Sequence, residues 1–132
     1  MVRIDATYDG NLRCTATHEP SGKQLITDAP VDNMGKGESF SPTDLLATSM
    51  LTCIMTIVAI RADSRQIDVL GMTGSVEKTM ASGPRRVAKL EVVVNLPSGL
   101  DMEDRAWLIT EGCNCPVCVS VSESMEVDVT FQ

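Results

Sequence analysis

The chain has 132 residues, 43% of them apolar, which is enough to bury a core within one domain and excludes a disordered tail. Eighteen Asp and Glu against eleven Lys and Arg leave a net charge of −7, so no basic surface able to follow a phosphate backbone is expected, and neither nucleic acid nor an anionic membrane is an expected partner. Aromatic residues make up only 3%, while methionines number eight and cysteines five, at positions 14, 53, 113, 115 and 118. An odd cysteine count behind an N-terminus without a long apolar stretch speaks against a secreted disulfide framework and for a reducing, cytoplasmic setting.

Residues 2–8 alternate loosely, Asp9-Gly10-Asn11 is turn chemistry, and residues 12–18 resume as a second strand, the pattern of a hairpin. Pro20-Ser21-Gly22 turns the chain into a short third strand over 24–27, and residues 28–40, with Pro30, Gly35 and Gly37, read as a mobile loop. A helix start follows. Ser41 can cap it, Pro42 suits the first helical position, and Asp44 stands where a carboxylate completes a capping box. From Leu45 to Ile60 apolar residues occupy more than one face, so the helix needs cover on most sides, which points to a second subunit. Thr48, Ser49, Thr52 and Thr56 interrupt the run, and it is shorter than a bilayer span, so a buried helix of a soluble protein is expected.

Two long strands are predicted over 67–80 and 86–96, joined at Ser82-Gly83-Pro84. In the second, Ala88, Leu90, Val92, Val94 and Leu96 oppose Lys89, Glu91 and Asn95. After Pro97-Ser98-Gly99 a short helix begins at Asp101, turns Met102, Ala106, Trp107 and Ile109 inward, and stops at Gly112. Met125, Val127, Val129 and Phe131 alternate with polar residues in a last strand. The order is β-β-β-α-β-β-α-β, and the class expected is α+β: one domain over 1–132, with antiparallel sheets around a long central helix.

The cysteines are where chemistry is expected. Mid-helix, Cys53 is either a small buried hydrophobe or, beside the semi-polar strip of Ser49, Thr52 and Thr56, a reactive thiol. Far from the positive helix end, a thiolate there needs a cation, and Arg3, Arg13, Lys23, Lys36, Arg85 and Arg86 are the candidates. Cys115 precedes Pro116, which can open a helical turn and leave the sulfur at its cap. Alternatively, residues 117–121 continue as β structure and Cys115 only packs. Cys113-x-Cys115-x-x-Cys118, with Cys14, Cys53 or His18 as a fourth ligand, is a weak zinc or iron–sulfur pattern because no second knuckle accompanies it. Neither metal nor cofactor is expected, and Cys14, Cys113 and Cys118 read as bystanders.

Ser41-Pro-Thr-Asp-Leu-Leu-Ala-Thr-Ser-Met-Leu-Thr-Cys53, followed 62 residues later by Cys115-Pro-Val, resembles the OsmC/Ohr family of thiol-dependent hydroperoxide reductases over nearly the whole chain. The resemblance implies an OsmC-like fold in an intertwined homodimer, an organic hydroperoxide as substrate, and a dithiol reductant of lipoyl or thioredoxin type. It assigns Cys53 as the peroxidatic cysteine and Cys115 as the thiol that condenses with its sulfenic acid to a disulfide. Arg13 and Asp44 are implied as supporting residues. Thr43 stands where the reductases carry a Glu after the helix-starting Pro, and the acid comes one residue later, as Asp44. Arg13 is the nearest match to the family's N-terminal Arg. These departures point to a divergent OsmC-like branch, and to an alternative: a small-molecule-binding or redox-sensing protein without turnover. Cys118 directly after Cys-Pro-Val is a further departure, and it makes a local Cys115–Cys118 pair conceivable.

Overall fold

Turn chemistry and strand alternation shape the first forty residues, and one apolar helix row organises the rest. The computed structural model describes residues 1–132, which fall into two compact units, 1–46 and 47–132.

In the first unit β1 (Ile4–Gly10), β2 (Arg13–His18) and β3 (Lys23–Asp28) form an antiparallel sheet in the order β1-β2-β3. Gly10 and Asn11 take left-handed backbone at φ 83° and 53°, which is why this turn needs Gly and Asn. The register pairs Tyr8 with Cys14 and Ala6 with Ala16, which in turn pairs with Leu25. Ile4, Ala6, Tyr8, Cys14, Ala16 and Leu25 therefore share one face. On that face Ile4 is 65% and Tyr8 67% exposed, while Cys14 and Ala16 are half-buried and His18, Lys23 and Thr27 add polar groups.

The segment after β3, expected to be mobile, is instead tied down. Asn33 N and Gly35 N donate to Pro30 O at 2.9 and 3.0 Å, Gly37 N to Ala29 O at 3.2 Å, and Asp28 N to Phe40 O at 3.1 Å. Glu38 N donates to the buried Asp28 carboxylate at 3.0 Å, and Ser39 Oγ to Ile26 O at 2.8 Å. Glycine permits the fold-back, because a Cβ on Gly35 would lie 1.7 Å from Ala29 O. The unit ends in the first turn of α1 (Pro42–Ser64), where the expected capping box is formed in both directions. Ser41 N donates to Asp44 Oδ2 at 2.8 Å, and Asp44 N to Ser41 Oγ at 3.1 Å.

In the second unit α1 presents Met50, Ile54, Val58 and Ala62, one row at four-residue spacing, all with no exposed surface. β4 (Thr73–Ser82) pairs antiparallel with β5 (Arg85–Asn95), whose Leu90, Val92 and Val94 are buried. β4 starts at Thr73 rather than 67 because Gln66 and Gly71 take left-handed backbone, at φ 57° and 89°, and break the extended run. The sheet approaches α1 at Gly74, where a Cβ would lie 2.7 Å from Leu51 Cδ1. The chain then passes through α2 (Met102–Gly112) and α3 (Pro116–Val121) to β6 (Glu126–Phe131).

The α+β class holds, with three corrections. β5 and β6 are parallel, because the two helices between them form a crossover that returns the chain to the edge of β5 in the same direction. α3 is an additional helix. In α2 the buried residues are Leu108 and Gly112; Met102 and Ala106 are exposed, and Trp107 and Ile109 only half-buried. Gly112 sets this rotation, since a Cβ there would lie 2.8 Å from Val58 Cγ2 and 2.9 Å from Phe131 Cζ. Trp107 is covered by the Arg65 guanidinium, 3.6 Å from the ring centroid. The register of β6 is marked by Lys89, whose Nζ lies 2.6 Å from Asp128, 3.4 Å from Glu91 and 3.6 Å from Glu126.

At 23 residues α1 outruns the apolar stretch seen in the sequence and is long and apolar enough to cross a membrane, with 28% of its most apolar window buried. Its buried row is nonetheless used as a core, with Ile54 and Val58 against Gly112. Ile54→Ala is expected to cost about 2–5 kcal/mol through the cavity it leaves, and Ser41→Ala about 1 kcal/mol through the lost cap. Denaturant midpoints check the order, and a Ser41→Ala loss equal to that of Ile54→Ala contradicts it.

Candidate functional site: a cluster of three thiols

Residues 47–132 bring three of the five cysteines together, on α1 and at the start of α3. Pro116 takes the first position of α3, so residues 117–121 are helix and not strand. Cys115 becomes the N-cap in extended backbone, φ −67° and ψ 148°, and its sulfur accepts the Cys118 N–H at 3.2 Å. Cys115 has no exposed surface, whereas Cys53 and Cys118 are half-buried. Cys53 and Cys115 lie close enough for each to act on the other, and the Val117 N–H favours the Cys53 thiolate. Cys118 acts on Cys115 as well, and its S–H donates to Met50 Sδ at 3.3 Å. Met50 and Cys53 are three residues apart on α1, hence on the same face.

Burial pushes the Cys53 thiol above its ordinary value; the Val117 N–H opposes that shift and Cys115 adds to it. Cys115 is raised as well, by burial first and then by the Cys118 side chain, against the pull of the Cys118 N–H and of Cys53. No cation stands among the groups acting on either. At neutral pH both groups are therefore thiols. Cys118, Cys113, Val119, Met125, Val127 and Val129 line, among others, a cavity of about 410 Å³.

The remaining sequence candidates are placed elsewhere. In the first unit Arg13 pairs with Glu38 and, at 3.5 Å, with Asp28. The Glu38 N–H and then the Arg13 charge hold the buried Asp28 carboxyl below the usual carboxylate range. A carboxyl depressed in the fold stabilises it above the unfolded value, and that stability is lost as pH falls through the folded one. Asp44 is a capping residue of α1. Cys14 lies in β2 between Tyr8 and Thr27, and His18 at the end of β2 hydrogen-bonds Ser21 Oγ at 2.7 Å. Cys113 is exposed at the end of α2, and no three His, Cys, Asp or Glu side chains converge as a metal site would require. Cys118, a bystander in the sequence apart from a conceivable pairing with Cys115, touches both Cys115 and Met50; the signal is its three-residue spacing from Cys115 across Pro116.

The OsmC-like protein family model matches residues 35–130. The chain belongs to the OsmC-like family. A crystal structure from Psychrobacter arcticus 273-4, provisionally described as an osmotic stress induced and detoxification response protein, is 42% identical and superposes with a TM-score of 0.94 over 100% of this chain and 96% of that one. The organic hydroperoxide resistance protein OsmC of Legionella pneumophila, at 15% identity and a TM-score of 0.81 over 100% and 96% of the two chains, shares the fold. So does OhrB of Bacillus subtilis, at 16% and 0.70 over 100% and 98%. A search of curated proteins finds no match.

Iodoacetamide labelling of the reduced protein, read residue by residue by mass spectrometry, is expected to titrate Cys53 with a midpoint above the ordinary thiol value of 9.0. A midpoint near neutrality contradicts the burial of this thiol without a cation.

Proposed function

We propose that this OsmC-like protein is a redox stress protein that reduces organic hydroperoxides through a thiol cycle of Cys53 and Cys115. The observation that carries it is the proximity of these two thiols, Cys53 half-buried on α1 and Cys115 fully buried at the cap of α3, each acting on the other. The Cys53 thiolate attacks the peroxide oxygen, the O–O bond breaks, an alcohol leaves with the proton, and Cys53 becomes a sulfenic acid. The Cys115 thiol attacks that sulfur, water leaves, and a disulfide forms before further oxidation is reached. An external dithiol of lipoyl or thioredoxin type returns two electrons. Apolar neighbours such as Met50 and Ile54 favour alkyl or fatty-acid hydroperoxides over hydrogen peroxide. Support also comes from the names of the Legionella and Bacillus proteins, which share the fold.

In this reading Asp44 acts by fixing the start of α1, and Arg13 by holding residues 29–40 through Asp28 and Glu38. The working form is a homodimer in the cytoplasm, with neither nucleic acid nor membrane as partner. The exposed Ile4 and Tyr8 of the β1–β3 sheet and the partly covered α1 support the second copy. Thr43, in place of the Glu of the reductases, and the raised Cys53 thiol favour a second reading, a ligand-binding or redox-sensing protein that oxidises once and does not turn over.

Turnover of cumene hydroperoxide with a dithiol separates the two. Cys53→Ser is expected to abolish it, and Cys115→Ser to leave a single stoichiometric oxidation followed by sulfinic acid at Cys53. Because only the thiolate attacks, the rate is expected to rise with pH past neutrality. Absence of turnover in the unaltered protein overturns the peroxidase reading. Light scattering is expected to give twice the chain mass, and a monomeric mass overturns the homodimer.

A further inference from the structure

Cys118 has no part in the cycle just described, yet it is built into the same cluster. Its backbone N–H is 3.2 Å from the Cys115 sulfur, its side chain acts on the Cys115 thiol, and its S–H rests 3.3 Å from Met50 Sδ. Met50 is three residues before Cys53 on α1, and the buried sulfur of Cys115 is acted on by two thiols, Cys53 and Cys118. Cys115-Pro-Val-Cys118 also has the Cys-X-X-Cys spacing that lets two side chains close a small disulfide ring. The two thiols differ in where they lead. Cys118 lines the 410 Å³ cavity and Cys53 does not, while Cys115 has no surface for a reductant to reach.

We propose that Cys118 is a second resolving thiol, which takes the disulfide over from Cys53 and carries it to the cavity. The proposal rests on the peroxidase reading for its entry step. Once Cys53 and Cys115 are joined, the Cys118 sulfur, as thiolate, attacks the Cys115 sulfur. The Cys115–Cys118 bond forms, the Cys53–Cys115 bond breaks, and Cys53 leaves as a thiolate that takes up the proton Cys118 gave up. No electrons enter or leave, because the step is thiol–disulfide exchange within the chain. A dithiol entering the cavity then attacks Cys118, and its two electrons restore both thiols. Cys53 is thus free for a second peroxide before the external reductant arrives. The cavity walls, mainly Val119, Met125, Val127 and Val129, suit a reductant with an apolar arm rather than a charged peptide.

The test is a time course. Reduced full-length protein receives one equivalent of cumene hydroperoxide, is quenched with acid, alkylated, and mapped by mass spectrometry, alongside Cys118→Ser and Cys118→Ala. In the unaltered protein the Cys53–Cys115 link is expected first, then its replacement by Cys115–Cys118 as Cys53 becomes alkylatable again. In both variants Cys53–Cys115 is expected to persist, and its reduction by dihydrolipoamide to slow by roughly tenfold or more, since a reductant in the cavity then meets no disulfide sulfur in its lining. A Cys53–Cys115 link that persists in the unaltered protein, with no Cys115–Cys118 link, overturns the relay and leaves the peroxidase reading standing. No Cys53–Cys115 link in either variant overturns the peroxidase reading itself, and the relay loses its entry step.

Discussion

The row Met50, Ile54, Val58 and Ala62 is the constraint on which residues 47–132 depend. It buries α1 against α2 and β6 at Gly112, while Leu51 and Met55 on the same helix meet the sheet at Gly74. The site inherits its layout from that packing. Cys53 shares a face with Met50, Met50 offers its sulfur to Cys118, and Phe131 closes over Gly112. An interior packed at crystal density transmits any change in this row to the thiols. A cavity under Ile54 is therefore a change in redox geometry as well as in stability.

Electrostatics are quiet around the thiols. Burial acts first on Cys53 and Cys115, with backbone N–H groups of α3 as an opposing influence. The charges of this acidic chain are spent elsewhere: Asp28, Arg13 and Glu38 clamp residues 29–40, and Lys89 gathers Asp128, Glu91 and Glu126 at the edge of β6. A neutral thiol pair is protected from adventitious oxidation, because the thiol reacts far more slowly than its anion.

Local chemistry was legible in the sequence wherever it needed no distant partner. Ser41, Pro42 and Asp44 announced the start of α1, Asp101 that of α2, and Pro116 that of α3, because each acts within one turn. Alternation along β5 identified Leu90, Val92, Val94 and Leu96 as inward-facing. What escaped depended on tertiary packing. The inward face of α2 is set by how closely Gly112 can approach Val58, and the parallel pairing of β6 by a crossover whose course no local pattern records. The loop after β3 looked unstructured because its hydrogen bonds run to backbone groups and to one buried carboxylate rather than through side-chain periodicity. Cys53 and Cys115 were paired by resemblance to a family. Cys118 went unused, since three-residue spacing acquires meaning only when a proline fixes the helix that displays it.

The crossover has a kinetic consequence. β4 and β5 meet through a tight turn, whereas β6 pairs with β5 only after the chain between them has threaded two helices, and such non-local contacts form late. Val127 and Val129, which wall the cavity beside Cys118, belong to that late strand. The wall beside Cys118 is therefore the part of this unit that depends most on long-range strand pairing.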